Sequence, residues 1–225
     1  MAENIRYTRA DLLGQARAVL GELHDLGVGE LYMPESALAT AETLEDIRTE
    51  IGECTRCGLS KGRHKLVFGA GNPAAELVFV GEGPGREEDK RGEPFVGEAG
   101  QLLERILFAM GLQREDVYIC NVVKCRPERN RDPDAEEIAA CEQFLKRQLA
   151  AIRPRIIVAL GKFAAQTLLQ DKTPISRLRG RWFSYEGIAL MPTFHPAYLL
   201  RNPAGKREVW QDMKQVMLSL AQGRD

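Results

Sequence analysis

Four short apolar runs constrain the fold of this chain most strongly, because each ends in a glycine, proline or polar cluster. The runs cover residues 77–80, 117–123, 156–160 and 188–194. Helical patterns are predicted at about 98–110, 133–151, 162–170 and 206–221. Asp132-Pro133 is the predicted start of the second, because Asp caps free N–H groups and Pro suits the first helical position. Apolar strands that alternate with helices predict an α/β fold, in which a parallel sheet is covered on both faces.

A polar motif follows each of these predicted strands. The motifs are GEGPG at 81–85, KCRPERN at 124–130, Gly161-Lys162 and His195-Pro196. Functional residues of such folds collect in the loops at the strand carboxyl ends. We therefore expect a site where these four loops meet. The loop GEGPG can bring backbone N–H groups close to a ligand, but no GK[ST] follows it, which argues against a nucleoside triphosphate site.

The N-terminal part has a different pattern. Apolar residues spaced by three and four predict an amphipathic helix over residues 10–26, and a second helix is predicted over 44–51. A connector that contains Pro34 separates them. We predict a helical extension over residues 1–50 and one domain over 51–225, with a partner-binding arm as the alternative role of the extension.

Composition sets limits on function. A chain of 225 residues with 44% hydrophobic content suits one domain plus an extension. The net charge is −1, so any positive charge that serves nucleic-acid binding must be local. The N-terminus lacks an apolar signal core, and the apolar runs are too short to span a bilayer. We expect a cytoplasmic protein that does not associate with membranes.

The cysteines predict a metal centre. Cys54 and Cys57 form a C-x2-C pair, and Cys125 and Cys141 lie downstream. Without an export signal, clustered cysteines bind metal or act in catalysis more often than they form disulfides. Four thiolates suit either zinc or an iron–sulfur cluster, and the spacing does not choose between them. Four unrelated core cysteines are the alternative. Cys120 lies inside an apolar run and is predicted to be a buried small side chain.

Two polar residues at strand ends are candidates for chemistry. Asn121 lies inside the apolar run YICNVV, where its amide needs partners if it is buried. It is either a hydrogen-bonded structural residue or a ligand contact. His195 ends the last predicted strand, and it is either a structural residue or a catalytic donor.

Three basic segments stand out in an otherwise neutral chain. They are KCRPERNR at 124–131, KTPISRLRGRW at 172–182 and RNPAGKR at 201–207. Each by itself could be a solvated surface. Together they predict a rim that binds phosphates.

Taken together, these residues resemble the family 4 uracil-DNA glycosylases, the iron–sulfur branch of their superfamily. The resemblance rests on GEGPGREEDKRGEPFVGEAGQLL, NVVKCRP, HPAYLLRNP and the spaced cysteines, and it covers about residues 54–218. It implies a three-layer α/β/α sandwich around a four-stranded parallel sheet. It also implies a [4Fe–4S] cluster on Cys54, Cys57, Cys125 and Cys141.

The resemblance also implies roles in base recognition. A target base must leave the stack to be excised, and Phe95 is expected to stack on the flipped ring. The Asn121 amide can accept from uracil N3–H and donate to O4. His195 can donate to O2 as negative charge builds on the departing base.

Other residues carry weaker expectations. Gly83 stands where family 1 enzymes have a water-activating Asp, so Glu82 is the candidate for holding the water. Glu88 is predicted to close the pocket near uracil C5 and to discriminate against thymine. Leu199 is expected at the tip of a segment that presses into the duplex, and Arg201 is expected to contact DNA.

Two alternatives stay open. Family X proteins of the same superfamily bond covalently to DNA, but they carry a basic insertion with a nucleophilic His that this chain lacks. A non-catalytic iron–sulfur protein that binds DNA or transfers electrons would not need Phe95, Asn121 and His195. The expected partner is uracil-containing DNA, double- or single-stranded, and the expected state is a monomer.

Overall fold

A computed structural model describes residues 9–26, 28 and 42–222 of the chain. Its helices are α1 Arg9–Asp25, α2 Leu44–Ile51, α3 Arg86–Arg91, α4 Glu98–Ala109, α5 Ala135–Ile152, α6 Gly161–Leu169, α7 Ile175–Leu178, α8 Pro196–Arg201 and α9 Lys206–Ala221. Its strands are β1 Ala70–Gly71, β2 Leu77–Gly81, β3 Tyr118–Asn121, β4 Ile156–Leu160, β5 Phe183–Tyr185 and β6 Ile188–Thr193. Short 3-10 helices lie at Gly58–Lys61, Arg114–Asp116, Glu128–Asn130 and Pro203–Gly205.

The sheet has the strand order β1-β3-β2-β4-β6-β5. Strands β3, β2, β4 and β6 are parallel neighbours, which confirms the predicted parallel sheet. The short strands β1 and β5 pair antiparallel at the two edges and extend the four predicted strands to six. Because the carboxyl ends of all four parallel strands lie at the same end of the sheet, the loops that follow them meet there.

Side chains that alternate along the strands build a core on each face of the sheet. Val78 and Val80 of β2 pack with residues of α5 and α6, whereas Leu77 and Phe79 pack with α4 and α9. This period of two is what a central strand buried on both faces requires. The result is the three-layer α/β/α sandwich that the family resemblance implied.

The largest compact unit begins at Glu42, and a smaller unit comprises Met1–Ala41. Helix α2 belongs to the larger unit, since its buried residues Ile47 and Ile51 pack against Phe68 and Phe144. We predicted an extension over residues 1–50 and a functional domain over 51–225. Packing alone does not test which residues the function needs, so this division stays a prediction.

The start of α5 differs from the prediction in detail. We predicted that Asp132-Pro133 would begin this helix, but Asp134 is the capping residue. The Asp134 backbone N–H donates to the Glu137 carboxylate at 2.9 Å, completing a capping box. Asp132 is thereby free of the capping role, and it lies in the pocket described below.

No helix among residues 9–26, 28 and 42–222 has the length and apolar content that a membrane span requires.

Candidate active site

A cavity of about 580 Å³ opens where the loops after β2, β3 and β6 meet. Most of the residues predicted to form the site line it: Glu82, Gly83, Glu88, Phe95, Asn121, His195 and Arg201. The topology explains this convergence, because Gly81 pairs with Asn121 at the ends of the parallel strands β2 and β3.

Asn121 presents an unused acceptor at the cavity wall. Its residue exposure is 1%, and its Oδ1 accepts no hydrogen bond from any residue that the structure describes. Its backbone carbonyl accepts from the Lys124 Nζ at 2.7 Å, which fixes the main chain. A Cβ at Gly81 would overlap Oδ1, so only glycine leaves room for this amide. An unpaired buried acceptor costs free energy, which a ligand N–H would recover.

His195 is a neutral hydrogen-bond donor. It caps α8, and its Nδ1 accepts from the Ala197 backbone N–H at 3.1 Å. Since a backbone N–H can only donate, the ring proton lies on Nε2. Burial, with a smaller contribution from the Arg201 guanidinium, lowers the pKa of His195 to about 4. The imidazole therefore offers an N–H without carrying charge at neutral pH.

Phe95 lies against this histidine. The ring centroids are 5.5 Å apart at an interplanar angle of 30°. The Phe95 ring also lies against the end of β2, where a Cβ at Gly81 would come within 2.7 Å of it. An aromatic face is thus held beside both the Asn121 amide and the His195 ring.

The carboxyl group of Glu82 has a raised pKa. Burial and the negative charge of Asp132 raise its pKa to about 7, against a smaller opposing effect of Lys162. The next residue, Gly83, permits close packing, since a Cβ there would come within 2.7 Å of the Val123 side chain. The Val123 backbone N–H donates to the Glu82 carbonyl at 3.0 Å, which joins the loops after β2 and β3.

Glu88 serves the loop before α4. Its Oε1 accepts from the backbone N–H groups of Val96 and Gly97 at 2.9 and 2.8 Å. It also lines the cavity. Its proposed part in discriminating against thymine stays a prediction.

The structure corrects two predicted DNA contacts. Leu199 has 0% exposure and lies in the core with residues of α4 and α9, so it is not the exposed tip of a wedge. On the same helix, Tyr198 and Leu200 are each 39% exposed. Lys124, which we placed in a basic rim, has 0% exposure and donates inward to Gln148 and Asn121.

Asp132 and Tyr198 also line the cavity, although neither was predicted as a site residue. Asp132 was interpreted as a helix cap, and only the fold brings it close to Glu82. Tyr198 lies in the quoted segment HPAYLLRNP, but the phase of its short helix could not be predicted. Its ring stacks at 4.8 Å from Phe194.

The four predicted metal-binding cysteines come from three separate segments. Cys54 and Cys57 precede the 3-10 helix Gly58–Lys61, Cys125 follows β3, and Cys141 lies on α5. The charges of Cys54 and Cys57 help to raise the pKa of Cys141, and the charge of Cys57 helps to raise the pKa of Cys125. Cys141 therefore lies near Cys54 and Cys57, and Cys125 lies near Cys57. Burial is the main cause that raises the pKa of Cys125 to about 11.

Nitrogen donors surround these sulfurs. Arg56 Nη1 lies 3.5 Å from the Cys54 Sγ, and Arg63 Nη1 lies 3.4 Å from the Cys125 Sγ. The Lys124 backbone N–H donates to the Cys141 Sγ at 3.3 Å. Within the described part of the chain, no three His, Cys, Asp or Glu side chains converge tightly enough to hold a single metal ion.

A family model described as "Uracil DNA glycosylase superfamily" matches residues 68–214, which include the whole sheet from β1 and the cavity. The chain belongs to the uracil-DNA glycosylase superfamily.

Curated relatives narrow the membership. The chain is 48% identical to a type-4 uracil-DNA glycosylase of Archaeoglobus fulgidus over 183 residues, 78% of this chain and 92% of the relative. It is 48% identical to that of Thermotoga maritima over 179 residues, 77% of this chain and 92% of the relative. A type-5 enzyme of Pyrobaculum aerophilum is 34% identical over 149 residues, 59% of this chain and 66% of the relative. Within the superfamily, the chain is a type-4 member.

Proposed function

We propose that this protein is a uracil-DNA glycosylase, which hydrolyses the N-glycosidic bond of flipped-out deoxyuridine and so initiates base excision repair. The observation that carries the proposal is the buried, unpaired Oδ1 of Asn121 in the cavity wall. Uracil offers a donor at N3–H and an acceptor at O4, and the amide matches both in one plane. Cytosine presents the opposite pattern at these atoms, so the same amide rejects it.

The remaining residues of the cavity supply stacking and charge stabilisation. Phe95 stacks on the flipped ring. Unstacking a base from DNA costs a few kcal/mol, and this new aromatic contact offsets part of that cost. His195 Nε2–H donates to O2, where negative charge develops as the bond to the sugar breaks. Glu82 in its carboxylate form orients the water that attacks the sugar C1′. Gly83 places no second carboxylate there.

We further propose that Cys54, Cys57, Cys125 and Cys141 hold a [4Fe–4S] cluster. The donor set fits, because charge interactions link Cys141 with Cys54, Cys57 and Cys125, and N–H groups of Arg56, Arg63 and Lys124 point at three of the four sulfurs. When bound, the cluster supplies a crosslink between the segment before the sheet, the loop after β3 and α5.

The DNA partner binds at the carboxyl ends of the parallel strands, where the cavity opens. Arg201 is exposed at the cavity wall and is a candidate phosphate contact. Double- or single-stranded substrate, action as a monomer and a cytoplasmic location are further parts of this proposal.

The test is uracil release by the wild-type protein and by Asn121→Asp. The protein is incubated with uracil- or cytosine-containing oligonucleotides, and abasic sites are cleaved with alkali. With the wild-type protein, the uracil-containing strand should be cleaved. A stable protein–DNA adduct would instead indicate family X chemistry. The absence of any product would indicate a protein that only binds DNA.

Asn121→Asp keeps the shape of the side chain but replaces its donor with a second acceptor, which repels uracil O4. Mismatched buried polar groups of this kind can cost on the order of 10⁴-fold in selectivity. The single-turnover uracil rate should fall and the preference for uracil over cytosine should narrow. An unchanged rate and ratio would show that Asn121 does not recognise the base.

A further inference from the structure

The backbone of Phe95 is held in a conformation that a bulky residue seldom adopts. Its φ is 53°, in the left-handed region, and the residue is buried, with 5% exposure. Non-glycine residues pay a free-energy cost there, and they keep such a conformation only where neighbouring groups enforce it. Something other than local preference must therefore fix Phe95 beside His195.

The side chain that grips this segment is Arg114, which comes from the 3-10 helix before β3. Its Nη1 donates to the Phe95 carbonyl at 2.8 Å, and its Nη2 donates to the Pro94 carbonyl at 2.6 Å. The planar guanidinium presents two parallel donors, a geometry that matches two successive carbonyl oxygens. Glu104 of α4 lies 3.4 Å from Nη1 and orients the arginine.

Helix α4 closes the other side of the same carbonyl. A Cβ at Gly100 would overlap the Phe95 carbonyl group, so the helix packs against the peptide itself. The Phe95 oxygen is thus confined between a helix that limits its position and a guanidinium that limits its direction. Losing the guanidinium leaves only the packing, and the peptide can then relax toward ordinary backbone angles.

We propose that Arg114 is a positioning residue for uracil excision, which acts through Phe95 and touches neither the base nor the sugar. This inference rests on the proposed function. Displacing a group that orients the substrate by about 1 Å can cost on the order of a hundredfold in rate. Arg114→Ala should therefore slow the single-turnover rate at saturating DNA by about ten- to a hundredfold, with little change in DNA affinity.

The chain contains a matched control in Arg155. Its Nη1 donates to the Leu220 carbonyl at 3.1 Å, its Nη2 donates to the Ser219 carbonyl at 3.2 Å, and Glu76 lies 3.4 Å away. The side-chain exposures are similar, 23% for Arg114 and 32% for Arg155. Arg155 precedes β4, so it lies at the amino end of the parallel strands, opposite the cavity. Arg155→Ala should lower the melting temperature about as much as Arg114→Ala does and leave the excision rate unchanged.

The decisive measurement is a double-mutant cycle of excision rates among wild type, Arg114→Ala, Phe95→Ala and the double variant. If Arg114 acts through Phe95, its removal slows wild type strongly and slows Phe95→Ala little. Equal slowing in both backgrounds, or equal slowing by Arg155→Ala, would overturn the proposal in favour of a general stabilising role.

Arg114→Lys keeps the charge but cannot hold both carbonyls, so it should show the same dependence on Phe95 to a smaller extent. It decides the question if Arg114→Ala does not fold. Wild type that releases no uracil would overturn the proposed function and this inference together, whereas active wild type with a rate-neutral Arg114→Ala would overturn the inference alone.

Discussion

At the scale of single residues, the cavity combines a donor whose charge is constant near neutral pH with an acid whose charge changes there. The pKa of His195 is lowered to about 4, so its imidazole stays neutral. The pKa of Glu82 is raised to about 7 from an ordinary value of 4.5. The folded protein therefore keeps the Glu82 proton between about pH 4.5 and 7, and carboxylate accumulates as the pH rises through 7.

We predict that the single-turnover rate of uracil excision rises with pH through about 7, because the carboxylate is the form that orients water. His195 titrates too low to produce this rise. Glu82→Gln should be slow and should lose the ascending limb. Asp132→Asn should move the limb to lower pH, since the Asp132 charge is one cause of the raised pKa. A Glu82→Gln profile that kept the wild-type limb would remove Glu82 from water activation.

A second prediction follows from the helix α8. Leu200 is 39% exposed and neighbouring Leu199 is fully buried, so the two leucines should have separate effects. Leu200→Ala should slow excision from duplex more than from single-stranded DNA, where no vacated stack needs filling.

Leu199→Ala is the matched comparison. It should lower the free energy of unfolding by about 2–5 kcal/mol, as a core cavity does, and affect both substrates alike. Rates on both DNA forms and thermal melts of each variant separate the two effects. A selective loss on duplex for Leu199→Ala would restore the original assignment.

At the scale of secondary structure, long apolar runs were predictable and short elements were not. Strand β4 and helix α9 have the predicted bounds, since each has an uninterrupted apolar or amphipathic pattern. Strands β1 and β5 contain two and three residues, too few to show a period. Helix α8 has six residues, so its phase was not evident and Leu199 was placed on the wrong face.

The same distinction applies to the site. Asn121 and His195 were predictable because each polar side chain interrupts or ends an apolar strand. Asp132 and Arg114 act across the fold, through packing of distant segments, and nothing in their local sequence marks them. Burial of Lys124 was hidden for the same reason, because its partner Gln148 lies on α5.

The cysteines give a prediction about elements. We expect about four irons per chain in anaerobically purified protein and absorbance in the visible blue. Cys57→Ala should lose the iron and lower the melting temperature, because the segment before the sheet is no longer joined to α5.

Cys120→Ala is the control, since this thiol is buried in β3 outside the four-cysteine set. It should keep its iron. Zinc in place of iron in the wild-type protein, or iron retained by Cys57→Ala, would contradict the assignment of the cluster.

At the scale of the whole molecule, the question is where the catalytic unit begins. Contacts place the start at Glu42, ahead of α2. Two groups of contacts join α2 to α5: Ile47 and Ile51 pack around Phe144, and Arg147 donates to the carboxylates of Glu42 and Glu50. The family model begins at residue 68 and so leaves α2 outside it.

Two truncated chains should therefore behave differently. A chain that begins at Glu42 keeps α2, and we expect it to fold and to excise uracil at the wild-type rate. A chain that begins at Gly52 loses Ile47 and Ile51, each of which contributes about 1.5–3 kcal/mol by burial. That sum is a large part of the roughly 5–15 kcal/mol by which a typical domain is stable. Urea unfolding and single-turnover excision, measured on both chains, compare the two starts. Equal stability of the two would place the boundary near residue 50, as the sequence suggested, and a slow but stable chain from Glu42 would assign residues 1–41 a part in the reaction.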